Sequence, residues 1–84
     1  MIKVLFFGRF REQLDCPSLD LPWEPGSADL EGLEQALISR GGELWGEVLS
    51  QDNVIRAVNQ EVVSGNPSLQ DGDEVAFFPP VTGG

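Results

Sequence analysis

Apolar positions recur along this chain with two periods. Residues 2 to 7 (IKVLFF) alternate, putting Ile2, Val4 and Phe6 on one face and Lys3, Leu5 and Phe7 on the other. This pattern predicts an opening strand, either covered on both sides or with the Lys3 side partly exposed and Phe7 available to a partner. Residues 9 to 14 (RFREQL) predict a short helical turn, with Phe10 and Leu14 four apart. The segment CPSLDLPWE predicts a second strand, with Leu19 and Leu21 on one face and Pro17 and Pro22 confining it to an edge. After the turn Glu24-Pro25-Gly26 the period changes. Leu30, Leu33 and Leu37 form a helical stripe from an N-cap at Ser27 to about Arg40, with Asp29 and Glu31 in the first turn and Gly41-Gly42 as the stop. ELWGEVL predicts a second helical piece, weakened by Gly46. Alternation then returns. VIRAVN (54 to 59) and EVV (61 to 63) flank a turn at Asn59-Gln60, and EVAFF (74 to 78) follows a turn at residues 70 to 73. In this last strand Val75 and Phe77 share one face, and Ala76 and Phe78 the other.

Runs of strands around one principal helix argue for an α+β fold, a thin helix-on-sheet layer that buries the leucine stripe. The 84 residues make one small domain, 1 to 78, with an extended tail at 79 to 84. A chain this short buries about 60 % of its unfolded surface, which leaves little room for a deep active site. With 5 Lys+Arg against 14 Asp+Glu, the formal net charge is −9. That balance argues against binding nucleic acid or an anionic membrane and favours a basic protein partner. Cys16 is the single cysteine, so no intrachain disulfide forms and a reducing compartment is the simpler reading. The apolar run Val4 to Phe7 is too short for a signal or a membrane span, and a soluble, cytoplasmic protein is expected.

The inventory of chemical groups is short. There is no His and no Tyr, and Cys16 lacks an activating imidazole. Asp71, Asp73 and Glu74 cluster, but without the ligand spacing of a calcium loop; a solvated turn accounts for them, and no metal is expected. These absences argue against a self-contained enzyme and turn attention to the tail, PPVTGG. Pro79-Pro80 favour a stiff polyproline conformation. At ~3.1 Å per residue, residues 79 to 84 reach roughly 19 Å from the sheet. Val81 and Thr82 also prefer extended backbone, while Gly83 and Gly84 are slender enough to enter a narrow channel. The plain alternative is a frayed terminus. If the terminal carboxylate of Gly84 has a role, another enzyme must activate it, most simply as a mixed anhydride with AMP that a sulfur or amine nucleophile then attacks.

The blocks MIKVLFF, AVNQEVV and LQDGDEVAFFPPVTGG resemble the sulfur-carrying small subunits of molybdopterin synthase, the MoaD family of ubiquitin-like β-grasp proteins. The likeness runs the whole length; residues 15 to 53 match in pattern only. It implies a β-grasp of about five strands on one main helix. It implies that Gly84 is adenylated by a ubiquitin-activating-like adenylyltransferase using ATP, then thiocarboxylated from a sulfur donor protein, with no stably bound cofactor. It implies that Pro79, Pro80, Val81, Thr82 and Gly83 carry Gly84 into the large catalytic subunit of a heterotetramer, where the sulfur passes to a pyranopterin precursor. Phe7, Val62 and Phe78 carry over as an apolar contact patch beside the tail. Gly at position 8, and the Trp and Pro content of the middle of the chain, depart from the family pattern. Rival readings with the same tail are a carrier for thiamin or another sulfur pathway, and a ubiquitin-like protein modifier that would join Gly84 to lysines.

Overall fold

A computed structural model describes residues 1–25 and 28–80. The expected N-cap Ser27 and the tail residues Val81, Thr82, Gly83 and Gly84 lie outside the described residues. The elements follow in the order β1 (Ile2–Phe6), α1 (Arg9–Gln13), β2 (Ser18–Leu21), α2 (Leu30–Gly41), α3 (Glu43–Leu49), β3 (Ile55–Val58), β4 (Glu61–Val63) and β5 (Glu74–Phe78). Five strands form one mixed sheet in the order β2-β1-β5-β3-β4. β1 and β5 pair in parallel; the other three pairings are antiparallel. This is the α+β architecture that the element order predicts.

Alternation along the strands sorts the side chains onto two faces. Ile2, Val4 and Phe6 of β1 and Val75 and Phe77 of β5 are buried with Leu30, Leu33 and Leu37 of α2, Val48 and Leu49 of α3 and Phe10 of α1. Phe6 lies parallel to Phe77 at 5.7 Å and meets Trp45 edge-on at 5.3 Å. All three helices therefore serve one side of the sheet. The other side carries Lys3 and Leu5 of β1, Ala76 and Phe78 of β5, Ile55 and Ala57 of β3 and Val62 of β4, as the register dictates. Lys3 is exposed and Leu5 half-buried, so β1 has one open side rather than two covered ones.

The start of α2 corrects the sequence reading. Asp29, not Ser27, is the N-cap: its backbone is extended and its carboxylate accepts the Gly32 amide at 2.7 Å. The cause is tertiary. Asp29 bridges Ser68, Leu30 N–H donates to Pro67 O at 3.0 Å, and Leu69 N–H donates to Ala28 O at 2.7 Å. Residues 28 to 30 are thus tied to 67 to 69, Asp29 in extended backbone, and the helix begins only at Leu30. At its other end α2 includes Gly41, and Gly42 at φ +88° turns the chain into α3. Arg56 reaches from β3 to α2, its Nε and Nη2 donating to Glu34 Oε1 at 3.0 and 2.7 Å. Further bonds from Nη1 to Val54 O at 3.1 Å and from Nη2 to Leu49 O at 3.4 Å tie α3 to the sheet.

Candidate functional site

β5 is the middle strand, and it delivers the chain to Pro79 with both neighbours already paired. The parallel register sets Phe6 beside Phe77, and the Phe7 amide donates to Phe77 O at 3.1 Å. Pro79 and Pro80 have no N–H, so the ladder cannot continue. Both prolines are half-buried.

An apolar groove lies beside this exit, lined by Phe7, Gly8, Ile55, Val62, Phe78 and Pro79. Each lining side chain is placed by a simple rule. Phe78 ends β5 on the face opposite Phe77, and Ile55 is its cross-strand neighbour on β3. Val62 stands opposite Ala57, whose small side chain, like that of Ala76, leaves the middle of the sheet low. Phe7 emerges just past β1 and lies flat on Phe78, with ring centroids 4.6 Å apart and planes 6° from parallel. No ionisable side chain lines the groove. The exposed large hydrophobics among the described residues are Met1, Phe7, Leu44 and Val62, and two of the four meet here. Phe7 is 37 % exposed and Val62 74 % exposed, values that set them apart from the core.

The groove holds no nucleophile, base or acid. Its chemistry is that of a docking surface: apolar area that gains by leaving water, placed at the root of the tail. The sequence reading named Phe7, Val62, Phe78, Pro79 and Pro80, and the structure brings the first four together around the groove. It missed Gly8 and Ile55. Ile55 was readable only through its register with Phe78, which is set by a pairing across 23 positions of chain. Elsewhere, Asp73 is occupied in a turn, accepting from Asn59 Nδ2 at 3.0 Å and from the Gln70 amide at 2.8 Å. Asp71 pairs with the N-terminal ammonium. The Cys16 thiol donates to Ser18 O at 3.4 Å. Among the described residues no group of His, Cys, Asp or Glu is disposed to hold a metal, and no helix is long and apolar enough to cross a membrane.

Comparison with known proteins adds independent constraints. The chain is 42 % identical over 87 residues to the molybdopterin synthase sulfur carrier subunit of Escherichia coli, with 100 % of each chain covered. Its fold matches SAMP1 from Haloferax volcanii with a TM-score of 0.81 at 24 % identity, covering 99 % of this chain and 98 % of that one. It also matches, with a TM-score of 0.66 and 26 % identity, a chain of the complex of subunits 1 and 2 of the molybdopterin-converting factor from Helicobacter pylori, covering 99 % and 97 %. The mixed five-strand sheet with its helices on one side is thus the ubiquitin-like β-grasp. The ThiS family profile matches residues 4–84, from within β1 to the end of the tail, and the chain belongs to the ThiS family.

Proposed function

We propose that this protein is the sulfur carrier of a molybdopterin synthase, and that its working group is the carboxyl carbon of Gly84. The observation that carries the reading is the apolar groove of Phe7, Val62, Phe78 and Pro79 at the root of a tail ending in Gly-Gly, in a chain matched end to end by a carrier relative. The groove docks on the large catalytic subunit, and residues 79 to 84 enter that subunit's pocket. Two copies of each chain form a heterotetramer, as the likeness to the small-subunit family implies. The acidic surface, at net charge −9, favours partners that present a basic rim.

The chemistry belongs to the partners. A ubiquitin-activating-like adenylyltransferase joins the Gly84 carboxylate to AMP from ATP, releasing pyrophosphate. Sulfur at the hydrosulfide level, from a sulfur donor protein, attacks the acyl carbon and displaces AMP, leaving a thiocarboxylate. In the synthase the thiocarboxylate sulfur forms a bond to a carbon of the pyranopterin precursor as a carbon–oxygen bond at that carbon breaks and its oxygen leaves as water. Water then cleaves the acyl–sulfur bond, and Gly84 returns to a carboxylate. The small domain supplies no acid or base to these steps; it supplies reach, a bare terminus and a docking face. A cytoplasmic setting, where thiols and ATP are abundant, suits this cycle.

Intact-mass analysis of the protein from its own cells tests the proposal. The expected result is replacement of one terminal oxygen by sulfur, dependent on the activating enzyme, ATP and a sulfur source. Covalent ladders through lysine would instead make it a modifier, and capture of a thiazole synthase in place of the large synthase subunit would move it to the thiamin pathway.

A further inference from the structure

Gly8 lies between β1 and α1 with φ +59° and ψ −142°, backbone that an L-residue adopts only under strain. Among the described residues Gly42, Gly65 and Gly72 also have positive φ, but a Cβ at any of these would meet nothing within 4 Å. Gly8 differs. A Cβ there would lie 2.9 Å from Pro79 Cγ and 3.2 Å from Pro79 Cδ. The contact falls at the point where the parallel β1–β5 pairing runs out. The last rung is the Phe7 amide on Phe77 O, and the next step brings residue 8 alongside residue 79, which has no N–H to give. Packing of a proline ring on a bare α-carbon takes the place of the missing rung.

We propose that Gly8 is a positioning residue for the tail: its bare α-carbon is the seat of Pro79 and sets the direction in which the chain leaves the sheet. A methyl group on that seat must push the Pro79 ring away, and the stiff Pro-Pro unit carries the displacement outward. The inference rests on the reading of Gly84 as the delivered group, because only then does the exit direction matter to a rate.

The test uses full-length carriers, made by chemical ligation with Gly8, L-alanine or D-alanine at position 8, each thiocarboxylated at Gly84. Single-turnover sulfur transfer is followed with the large synthase subunit. D-alanine accepts φ +59° and carries its methyl in place of the other α-hydrogen, not at the position that meets Pro79, and Gly8 is an exposed residue. For Gly8→Ala the maximal rate per folded chain falls about tenfold, within the range for an ångström-scale misplacement, and half-saturation stays within about twofold because Phe7, Val62 and Phe78 still dock. The D-alanine chain recovers the rate to within about threefold. A full maximal rate for Gly8→Ala, or a loss matched by its unfolded fraction, overturns the inference, as does a D-alanine chain as slow as the L form. A Gly84-deleted control that still transfers sulfur overturns the carrier reading itself, which separates the two failures.

Discussion

Replacing Phe7 by alanine separates a docking residue from a core residue. Complete burial of a phenylalanine side chain is worth about 1.5–3 kcal/mol. Phe7 keeps 37 % of its surface exposed, so it realises somewhat under two-thirds of that value. Its flat stack on Phe78 at 4.6 Å adds about 0.5–1.5 kcal/mol, at the lower end because one side of the pair is wet. The groove is open, so truncation leaves no sealed cavity and no cavity penalty. Phe7→Ala then costs about 2 kcal/mol of folding stability, or roughly 8–16 °C in Tm for a domain of this size. Phe77→Ala is the contrast. Phe77 is wholly buried beside Phe6, and its truncation costs about 3–5 kcal/mol. That is a large share of the ~4–13 kcal/mol that an 84-residue domain has. Binding ranks the two in the opposite order. An aromatic anchor at the centre of an interface contributes about 2 kcal/mol or more, so Phe7→Ala weakens Kd for the large subunit by roughly 30-fold at a temperature where the variant is folded. Urea titration gives the stabilities and calorimetry of the two-subunit complex gives Kd. A Phe7→Ala chain that loses more than about 3 kcal/mol of stability yet binds within threefold of the parent would refute the reasoning, for Phe7 would then be core.

Two further substitutions test how the sheet and helix are set. Asn59 and Gln60 both have positive φ, 51° and 70°, as a two-residue hairpin turn requires, and glutamine is strained there; Gln60→Gly raises stability by about 0.5–1 kcal/mol in thermal denaturation, and a loss would mean that Gln60 has a compensating contact. Asp29→Ala removes the acceptor of the Gly32 amide and costs about 1 kcal/mol, read as a lower urea midpoint at unchanged slope; an unchanged midpoint would mean that this cap contributes nothing.

What was legible in the sequence was local and periodic. Ile2, Val4 and Phe6 announce a strand, though not whether its second face is covered, and Leu30, Leu33 and Leu37 announce the helix that packs on it, because the two periods reflect backbone geometry alone. Asn59-Gln60 reads as a turn for the same reason. What was not legible depends on pairing between distant segments. Ser27 and Asp29 are equally good caps by residue type; only the pairing of 28 to 30 with 67 to 69 decides between them. The parallel partnership of β1 with β5 joins the two ends of the chain, and no short stretch encodes it. The groove follows from that partnership. Phe7 and Phe78 were named as exposed candidates, but Gly8 and Ile55 join them only once the strands are in register.

The same partnership explains why the chain leaves toward its C-terminus from the middle of the sheet and not from an edge. A terminus on an edge strand is held by one ladder and frays with it. β5 is held by two, β1 on one side and β3 on the other, and its Val75 and Phe77 are wholly buried. The last residue of the sheet therefore has a fixed position and orientation, and whatever follows inherits a rigid origin. Two prolines at that origin stop the ladders on both sides at once, since neither offers a donor to β1 or β3. The docking groove shares this origin, with Phe78 from β5 itself, Ile55 from β3 and Phe7 just past the end of β1. A partner that seats the groove has thereby located the root of the tail to within the rigidity of three paired strands. On the carrier reading proposed above, that leaves only the slender final residues to find their target, so a domain whose groove holds no acid, base or nucleophile can contribute to the rate of a reaction carried out by its neighbour.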